Sequence, residues 1–178
     1  MDTTVLAPPV QSRRDLLMMR LFGDLQIVRF NEIYYHRRAV SLRKFSIGSS
    51  VLATLASSAV LCGLISGAPL GAIAWKILTG VAAISAAMGP IFQLDSKAAL
   101  FEKAALGYSI VRDRLKHLIQ DLKMSSLDET HIARDVEISA LRDALAALDE
   151  APGPNRIREQ IWNQVMGEYP SDQAWSIL

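Results

Sequence analysis

The chain has 178 residues, a length that suits one domain with tails. Its charges nearly cancel, with 19 Lys and Arg against 18 Asp and Glu, which argues against a nucleic-acid-binding protein dominated by a basic surface. Hydrophobic residues make up 51% of the chain, and its single cysteine, Cys62, excludes an internal disulfide framework and a cysteine-based zinc site.

The segment before the first apolar run is predicted to consist of a flexible tail, residues 1–11, and a cytoplasmic juxtamembrane helix, residues 12–45. Ser12 is suited to cap this helix, since its hydroxyl can accept a hydrogen bond from a backbone N–H of the first turn. Apolar residues then recur at heptad spacing, which predicts one buried face. We expect the helix to continue into the apolar run with little break. The buried face would consist of Met18, Leu21, Leu25, Val28, Tyr35, Ala39 and Leu42.

Two apolar runs, residues 46–65 and 72–94, are each long enough to cross a membrane as a helix, because about 20 helical residues span a hydrocarbon core of roughly 30 Å. The sole charge in the runs and their connection is Lys76. The six connecting residues are rich in Gly and Pro, which favours a turn. We therefore predict a two-span transmembrane hairpin over residues 46–94. A pair of buried helices in a soluble protein is the alternative, but such helices rarely lack charges on every face.

The flanks of the hairpin predict its orientation. Four basic residues lie just before the first run, whereas the turn between the runs carries no charge. Because Lys and Arg are enriched in cytoplasmic flanks, we expect the N-terminus in the cytoplasm, and two spans return the C-terminus to the same side. The lipid bilayer is therefore the first predicted partner. The basic residues are Arg37, Arg38, Arg43 and Lys44.

Small and hydroxyl-bearing side chains recur on one face of each run. Spacings of three or four residues let helix backbones approach closely and let hydroxyls bond across helices. This face is either the packing surface of the hairpin within one chain or the lining of a pore in an assembly. Lys76 either extends to the interface or faces a bundle interior. The candidate residues are Ser46, Ser50, Thr54, Ser58, Lys76, Thr79 and Ala83.

Residues 95–150 are predicted to form a cytoplasmic helical region, continuous with the second run. Its first helix carries a heptad seam, whose natural partner is the N-terminal heptad helix. After a break at Ser125-Ser126 comes a shorter acidic helix, and residues 151–178 hold a short last helix and a tail. The candidate assembly seam consists of Phe101, Tyr108, Val111, Leu115, Leu118 and Leu122.

No stretch alternates as a strand does, so the predicted fold class is all-α, a two-transmembrane helical hairpin with long cytoplasmic N- and C-terminal helices. The chain carries neither a glycine-rich loop of the phosphate-binding type nor a zinc-protease motif. The histidines, His36, His117 and His131, lie in three separate segments. We therefore predict no enzyme, no cofactor and no metal site.

The order of these parts resembles the SLATT family, bacterial two-transmembrane effectors associated with nucleotide-synthesising and nucleotide-sensing defence genes. The resemblance covers roughly residues 15–168. This chain lacks the cysteine that many members carry in the last helix, where it has Gln160-Ile161-Trp162. The matching segments are Tyr35-His36-Arg37-Arg38, Arg43-Lys44, the apolar hairpin, Ala105-Leu-Gly-Tyr108, Pro152-Gly-Pro154 and Ile161-Trp162.

The resemblance implies a pore-forming effector of an anti-phage or nucleotide-signalling system that acts as a homo-oligomer in the bacterial inner membrane. It also implies a nucleotide-signalling or sensor protein as a partner encoded nearby, and no active site. The residues by themselves leave an alternative open, a non-conducting membrane adaptor that recruits a cytoplasmic partner through its heptad helices.

Overall fold

In the computed structural model, the described part of the chain is helical and contains no strand. The predicted all-α class is therefore confirmed. Side chains at residues 56 and 59–66 are not described. The predicted tail over residues 1–11 and most of the second apolar run lie outside the described part. The described residues are 13–66, 77, 79–81, 83–84, 93–125, 128–147 and 155–170.

The first helix is by far the longest, with 54 residues. It contains no proline, and its three glycines are isolated, so no residue within it forces an interruption. The prediction that the N-terminal helix continues into the first apolar run is confirmed. The helices whose bounds lie within the described residues are α1, Arg13–Ser66; α2, Leu94–Met124; α3, Glu129–Ala146; and α4, Asn155–Glu168.

Helix α2 begins abruptly. Gln93, the residue before it, has a φ of 47°, in the left-handed region that L-residues other than Gly, Asn and Asp rarely adopt. The carbonyl oxygen of Gln93 accepts hydrogen bonds from the Lys97 N–H at 3.0 Å and from the Ser96 hydroxyl at 2.8 Å. A left-handed residue cannot continue a right-handed helix. The prediction that the second apolar run and α2 form one continuous helix is therefore wrong at this residue.

The chain divides into two compact units, each with its own core. The first unit, Met1–Tyr34 with Ala105–Leu178, contains the N-terminal part of α1, most of α2, and helices α3 and α4. Its core combines the heptad faces that the sequence predicts for α1 and α2 with residues from the later helices. The buried apolar residues include Leu21, Leu25, Val28, Tyr108, Val111, Leu115, Leu118, Leu122, Ile138, Ile161 and Val165.

The second unit, Tyr35–Ala104, contains the rest of α1 and the beginning of α2. Its described core is small and lies where these helices meet. The rings of Tyr35 and Phe101 have centroids 5.8 Å apart and are 2% exposed each. Ala39, Ala98 and Ala104 complete the contact, because alanine side chains permit a close helix approach.

Helix α3 follows the predicted break after α2 and packs beside it in the first unit. Asp128 caps α3 through a capping box with His131, which satisfies backbone groups that the helix leaves unpaired at its start. Near the other end, a Cβ added to Gly107 would lie 2.6 Å from Cδ2 of Leu145. A glycine at this position of α2 therefore permits the close approach of α3.

Within the described residues, no helix combines the length and the apolar character needed to cross a membrane.

Candidate functional site

The second unit contains the clearest departure from a water-facing surface. Beyond its basic segment, α1 exposes a series of large apolar side chains while carrying no charge. Contiguous exposed apolar surface of this kind marks a place where lipid, ligand or protein binds. The described helical residues of the second run show the same feature. The exposed residues include Phe45 (51%), Ile47 (58%), Val51 (52%), Leu55 (63%), Ile77 (61%) and Ile84 (62%).

The hydroxyls of this segment bond to their own helix. Thr54 donates to the Ser50 carbonyl oxygen at 2.9 Å, and Ser58 donates to the Thr54 carbonyl oxygen at 2.8 Å. Ser57 donates in the same way to the carbonyl oxygen of Ala53 at 2.7 Å. Such bonds satisfy a hydroxyl donor without water, which lowers the cost of placing it in an apolar environment.

The predicted pore-lining or helix-packing residues are placed as follows. Ser50, Thr54 and Ser58 are exposed on α1, and Ser46 is half-buried. Thr79 and Ala83 are exposed, while Lys76 lies outside the described residues. The described positions leave open which surface these residues contact, so both a pore-lining and a packing role stay predictions.

The basic segment of α1 is also part of the second unit. The Arg38 guanidinium lies over the Phe101 ring, 4.8 Å from its centroid, and Arg43 forms an ion pair with Glu102 at 2.9 Å. Arg37 and Lys44 are exposed. Two of the four predicted juxtamembrane cations therefore contact α2, where they help to hold the two helices together.

The first unit is held at its surface by ion pairs between helices. Arg112 of α2 contacts both carboxylate oxygens of Glu32 on α1, at 2.8 and 2.7 Å. Arg20 of α1 pairs with Asp135 of α3. This hydrogen bond to Asp135 raises the pKa of Arg20 and keeps the guanidinium charged. Arg142 of α3 similarly pairs with Asp24 of α1 at 2.5 Å.

Helix α4 shares this network through Arg29. The Arg29 guanidinium donates to Glu168 at 2.8 Å and also lies 3.1 Å from Glu32. The hydrogen bond to Glu168, followed by that to Glu32, raises the pKa of Arg29, and the Arg29 hydrogen bond holds the pKa of Glu168 below its ordinary value. Arg29 thus bridges two carboxylates from different helices.

The predicted assembly seam is used inside the chain. All six of its residues are at most 2% exposed. They belong to the cores described above, with Phe101 in the second unit and the rest in the first. Their role in assembly stays a prediction, and it would require the helices to separate.

The turn between α2 and α3 brings a serine, a histidine and an aspartate together. His131 Nδ1 lies 2.5 Å from Asp128 Oδ1, and its Nε2 lies 3.2 Å from the Ser125 hydroxyl oxygen. A nucleophilic serine would donate its proton to the histidine. Here the Ser125 hydroxyl donates to the carbonyl oxygen of Asp121 at 2.8 Å, so this oxygen acts as an acceptor toward His131. The arrangement is therefore a helix cap.

Asp128 is ionised at neutral pH. Hydrogen bonds from the Thr130 hydroxyl and from the His131 backbone N–H lower the pKa of Asp128 to about 2. Among the described residues, no three His, Cys, Asp or Glu side chains converge as a metal site would require.

A groove of about 610 Å³ lies between α1 and α4 in the first unit. Two of its lining residues, Phe30 and Trp162, are in edge contact at a centroid distance of 5.8 Å. Trp162 remains 41% exposed. The described lining residues are Ile27, Phe30, Asn31, Arg158, Glu159, Trp162 and Asn163.

Sequence reasoning misses the partners of the ion pairs. One signal for them exists, because Asp135 lies on the face of α3 that also carries His131 and Ile138, and all three are buried. A carboxylate on a buried face requires a partner. The sequence does not show that this partner is Arg20, which lies 115 positions earlier.

No protein-family model, curated protein or solved structure matches the chain. The fold and the site by themselves define the structural class of the protein. The protein is all-helical, with an ion-paired helical unit and a second unit in which α1 exposes an apolar surface.

Proposed function

We propose that this chain is a membrane-permeabilising effector of a bacterial anti-phage or nucleotide-signalling defence system, and that it acts by homo-oligomerisation in the inner membrane. The carrying observation is that the charge-free part of the unbroken helix α1 exposes large apolar side chains. Their burial in lipid is favourable by about 25 cal/mol per Å² of apolar surface. The resemblance to SLATT effectors supplies the biological setting.

The proposed topology is a two-span hairpin over residues 46–94 with both ends in the cytoplasm. The basic residues before the first run support it, because positively charged flanks stay on the cytoplasmic side. The self-bonded hydroxyls support it too, because their donors need no water. A nearby-encoded nucleotide-signalling or sensor protein is the proposed activating partner.

A matched pair of substitutions tests the proposal. Leu55 and Leu106 are both 63% exposed, but Leu55 lies in the apolar segment and Leu106 in the first unit. We expect Leu55→Asp to release the chain from membranes during carbonate extraction and to abolish depolarisation of cells that express it with its native neighbouring genes. Leu106→Asp should do neither. A wild-type chain that carbonate releases without detergent, or that leaves the membrane potential unchanged, contradicts the proposal.

The second candidate function is a non-conducting membrane adaptor. It is favoured by the groove beside Trp162, which offers a cytoplasmic partner both apolar and polar side chains. The heptad seam suits this role less well, since its residues are buried in the chain's own cores. Ile27 is 47% exposed at the groove, so Ile27→Glu should leave the fold intact. Loss of partner binding in Ile27→Glu, together with an unchanged membrane potential in cells that express the wild-type chain, would favour the adaptor.

A further inference from the structure

Helix α4 is attached to the first unit by a small apolar contact. Ile161 and Val165, one helical turn apart, are its buried residues and are fully enclosed. Beside them, the Trp162 ring meets Phe30 of α1 at an interplanar angle of 65°. The first six residues of α4, Asn155–Gln160, are all exposed. The attachment is therefore concentrated in the second half of the helix.

Polar contacts secure the end of α4. Glu168 pairs with Arg29 of α1, and the Gln26 side chain donates to the carbonyl oxygen of Tyr169 at 2.8 Å. The Tyr169 ring also lies 5.5 Å from the Lys116 ammonium of α2. The contacts move back along α1 as α4 advances, so the two helices are antiparallel. Together these groups define a docking surface, formed by α1 and α2, that is specific for the sequence of α4.

An occupant of this docking surface has to satisfy several requirements at once. It needs two enclosed apolar side chains four residues apart, an aromatic ring beside the first, and a carboxylate three residues after the second. It also needs a free carbonyl oxygen at the end of its helix. The α4 helix of a second copy meets all of these requirements because its sequence is the same. A different partner would have to reproduce each of them.

Helix α4 also has the properties of an element that two copies can exchange. It has 14 residues, a length at which an isolated helix is marginal in water, so its helical state depends on docking. Eight residues, 147–154, separate α3 from α4 in the sequence, and a chain of that length reaches at most about 29 Å. Copies gathered in one membrane raise the local concentration of each other's α4.

We propose that α4 is exchanged between copies of this chain when they assemble, each α4 docking on the α1–α2 surface of a neighbouring copy. Exchange keeps every contact of α4 while joining two chains, and it is a low-cost route from monomer to oligomer. The inference rests on the proposed homo-oligomerisation and specifies the surface through which it occurs.

Cross-linking between copies tests the exchange. All variants carry Cys62→Ser, which removes the natural thiol. One chain carries Phe30→Cys, and a second, differently tagged chain carries Trp162→Cys. Both are reconstituted together at equal amounts in vesicles of phosphatidylethanolamine and phosphatidylglycerol and treated with a short bismaleimide. Exchange predicts a covalent dimer that bears both tags, whereas a chain carrying both cysteines links within itself when it is monomeric.

Two controls keep the result interpretable. Arg29→Cys with Glu168→Cys provides a second pair, which leaves the Phe30–Trp162 contact intact. Leu106→Cys with Trp162→Cys measures collision between exposed sites, since Leu106 is 63% exposed on α2. We expect the two docking pairs to give at least about tenfold more mixed dimer than the collision pair.

The possible results separate the two proposals. Mixed dimers above the collision level from both docking pairs support exchange. An oligomer in which the docking pairs link only within single chains overturns exchange and leaves homo-oligomerisation standing. A chain that stays monomeric in the vesicles, measured by single-molecule photobleaching of a fluorescent tag, overturns both.

Discussion

The two parts of helix α1 expose opposite kinds of surface on one continuous backbone. In the first unit, α1 turns its apolar face inward, and its Arg20 and Arg29 pair with carboxylates on other helices. In the second unit, its charge-free stretch exposes apolar side chains and bonds its hydroxyls to its own carbonyl oxygens. The first pattern is typical of a helix in water. The second leaves large apolar side chains exposed, as the proposed membrane span would require.

This difference shows that exposure has to be interpreted together with charge. Leu106 and Leu55 are equally exposed, yet the neighbours of Leu106 include exposed charged residues such as Lys103, whereas Leu55 has no charged residue within ten positions on either side. A single exposed leucine among charges is ordinary on a soluble surface. A series of exposed apolar residues without charges marks a candidate binding surface.

The largest expected effect on the free energy of unfolding comes from a core leucine, and the comparison is a leucine in the apolar segment of α1. Leu115→Ala removes a side chain that is 2% exposed and should lower the free energy of unfolding by about 2–5 kcal/mol, because it leaves a cavity. Leu55→Ala should change it by less than about 0.5 kcal/mol. Thermal unfolding in mild detergent, followed by circular dichroism, measures both. Equal losses at the two positions would remove the distinction between the two parts of α1.

The ion-paired surface supplies the next effect. Arg112→Gln breaks the contact of Nη1 with both carboxylate oxygens of Glu32, whose side chain is 16% exposed. It should lower the free energy of unfolding by about 1–3 kcal/mol. Arg114→Gln is the matched control, because its pair with Glu137 is exposed and worth less than about 1 kcal/mol. A double-mutant cycle with Glu32→Gln isolates the coupling. A coupling energy near zero would show that the contact is incidental.

The pH dependence of α4 docking is a smaller effect with a defined sign. Because the folded pKa of Glu168 lies below its ordinary value of 4.5, folding is stabilised above that value, and this contribution disappears as the pH falls through the folded pKa. It should amount to less than about 1 kcal/mol, since the pair is partly exposed. Hydrogen exchange of α4 amides from pH 6 to pH 3 measures it. The Glu168→Gln variant should lack this part of the pH dependence.

The smallest expected effect on stability comes from replacing a glycine by alanine in either part of α1. A Cβ added to Gly23 or Gly48 meets no atom within 4 Å, so alanine at either position should stabilise the helix by about 0.5–1 kcal/mol. Gly107→Ala is the contrasting variant, because its Cβ would meet Leu145 and the gain should shrink or reverse. Chemical denaturation in detergent compares the three. A destabilising Gly48→Ala would reveal a close helix neighbour at that position.

Much of the fold follows from the periodicity of the sequence. The heptad positions of α1 and α2 predict their buried faces, since burial of one helical stripe depends on local spacing that the sequence displays directly. Leu42, the last position predicted for the α1 face, is half-buried. The start of α2 was not predictable in the same way. The left-handed φ of Gln93 is set by its surroundings, and glutamine has no intrinsic preference for that conformation.

The contacts that define the two regions were less predictable. Glu32 of α1 and Arg112 of α2 lie 80 positions apart, and their pairing depends on which faces meet after packing. The hydroxyl stripe was visible in the sequence, but the partner of each hydroxyl was not. Thr54 donates to the carbonyl oxygen of Ser50 within α1, while its pore-lining or helix-packing role stays a prediction.

The self-bonded hydroxyls have a consequence for any solute that reaches them. Because Thr54, Ser57 and Ser58 have each committed their single proton to a carbonyl oxygen, they present only oxygen lone pairs outward. Lone pairs attract cations and hydrogen-bond donors and offer an anion no donor. A wet passage lined by this stripe would consequently favour potassium or sodium ions over chloride.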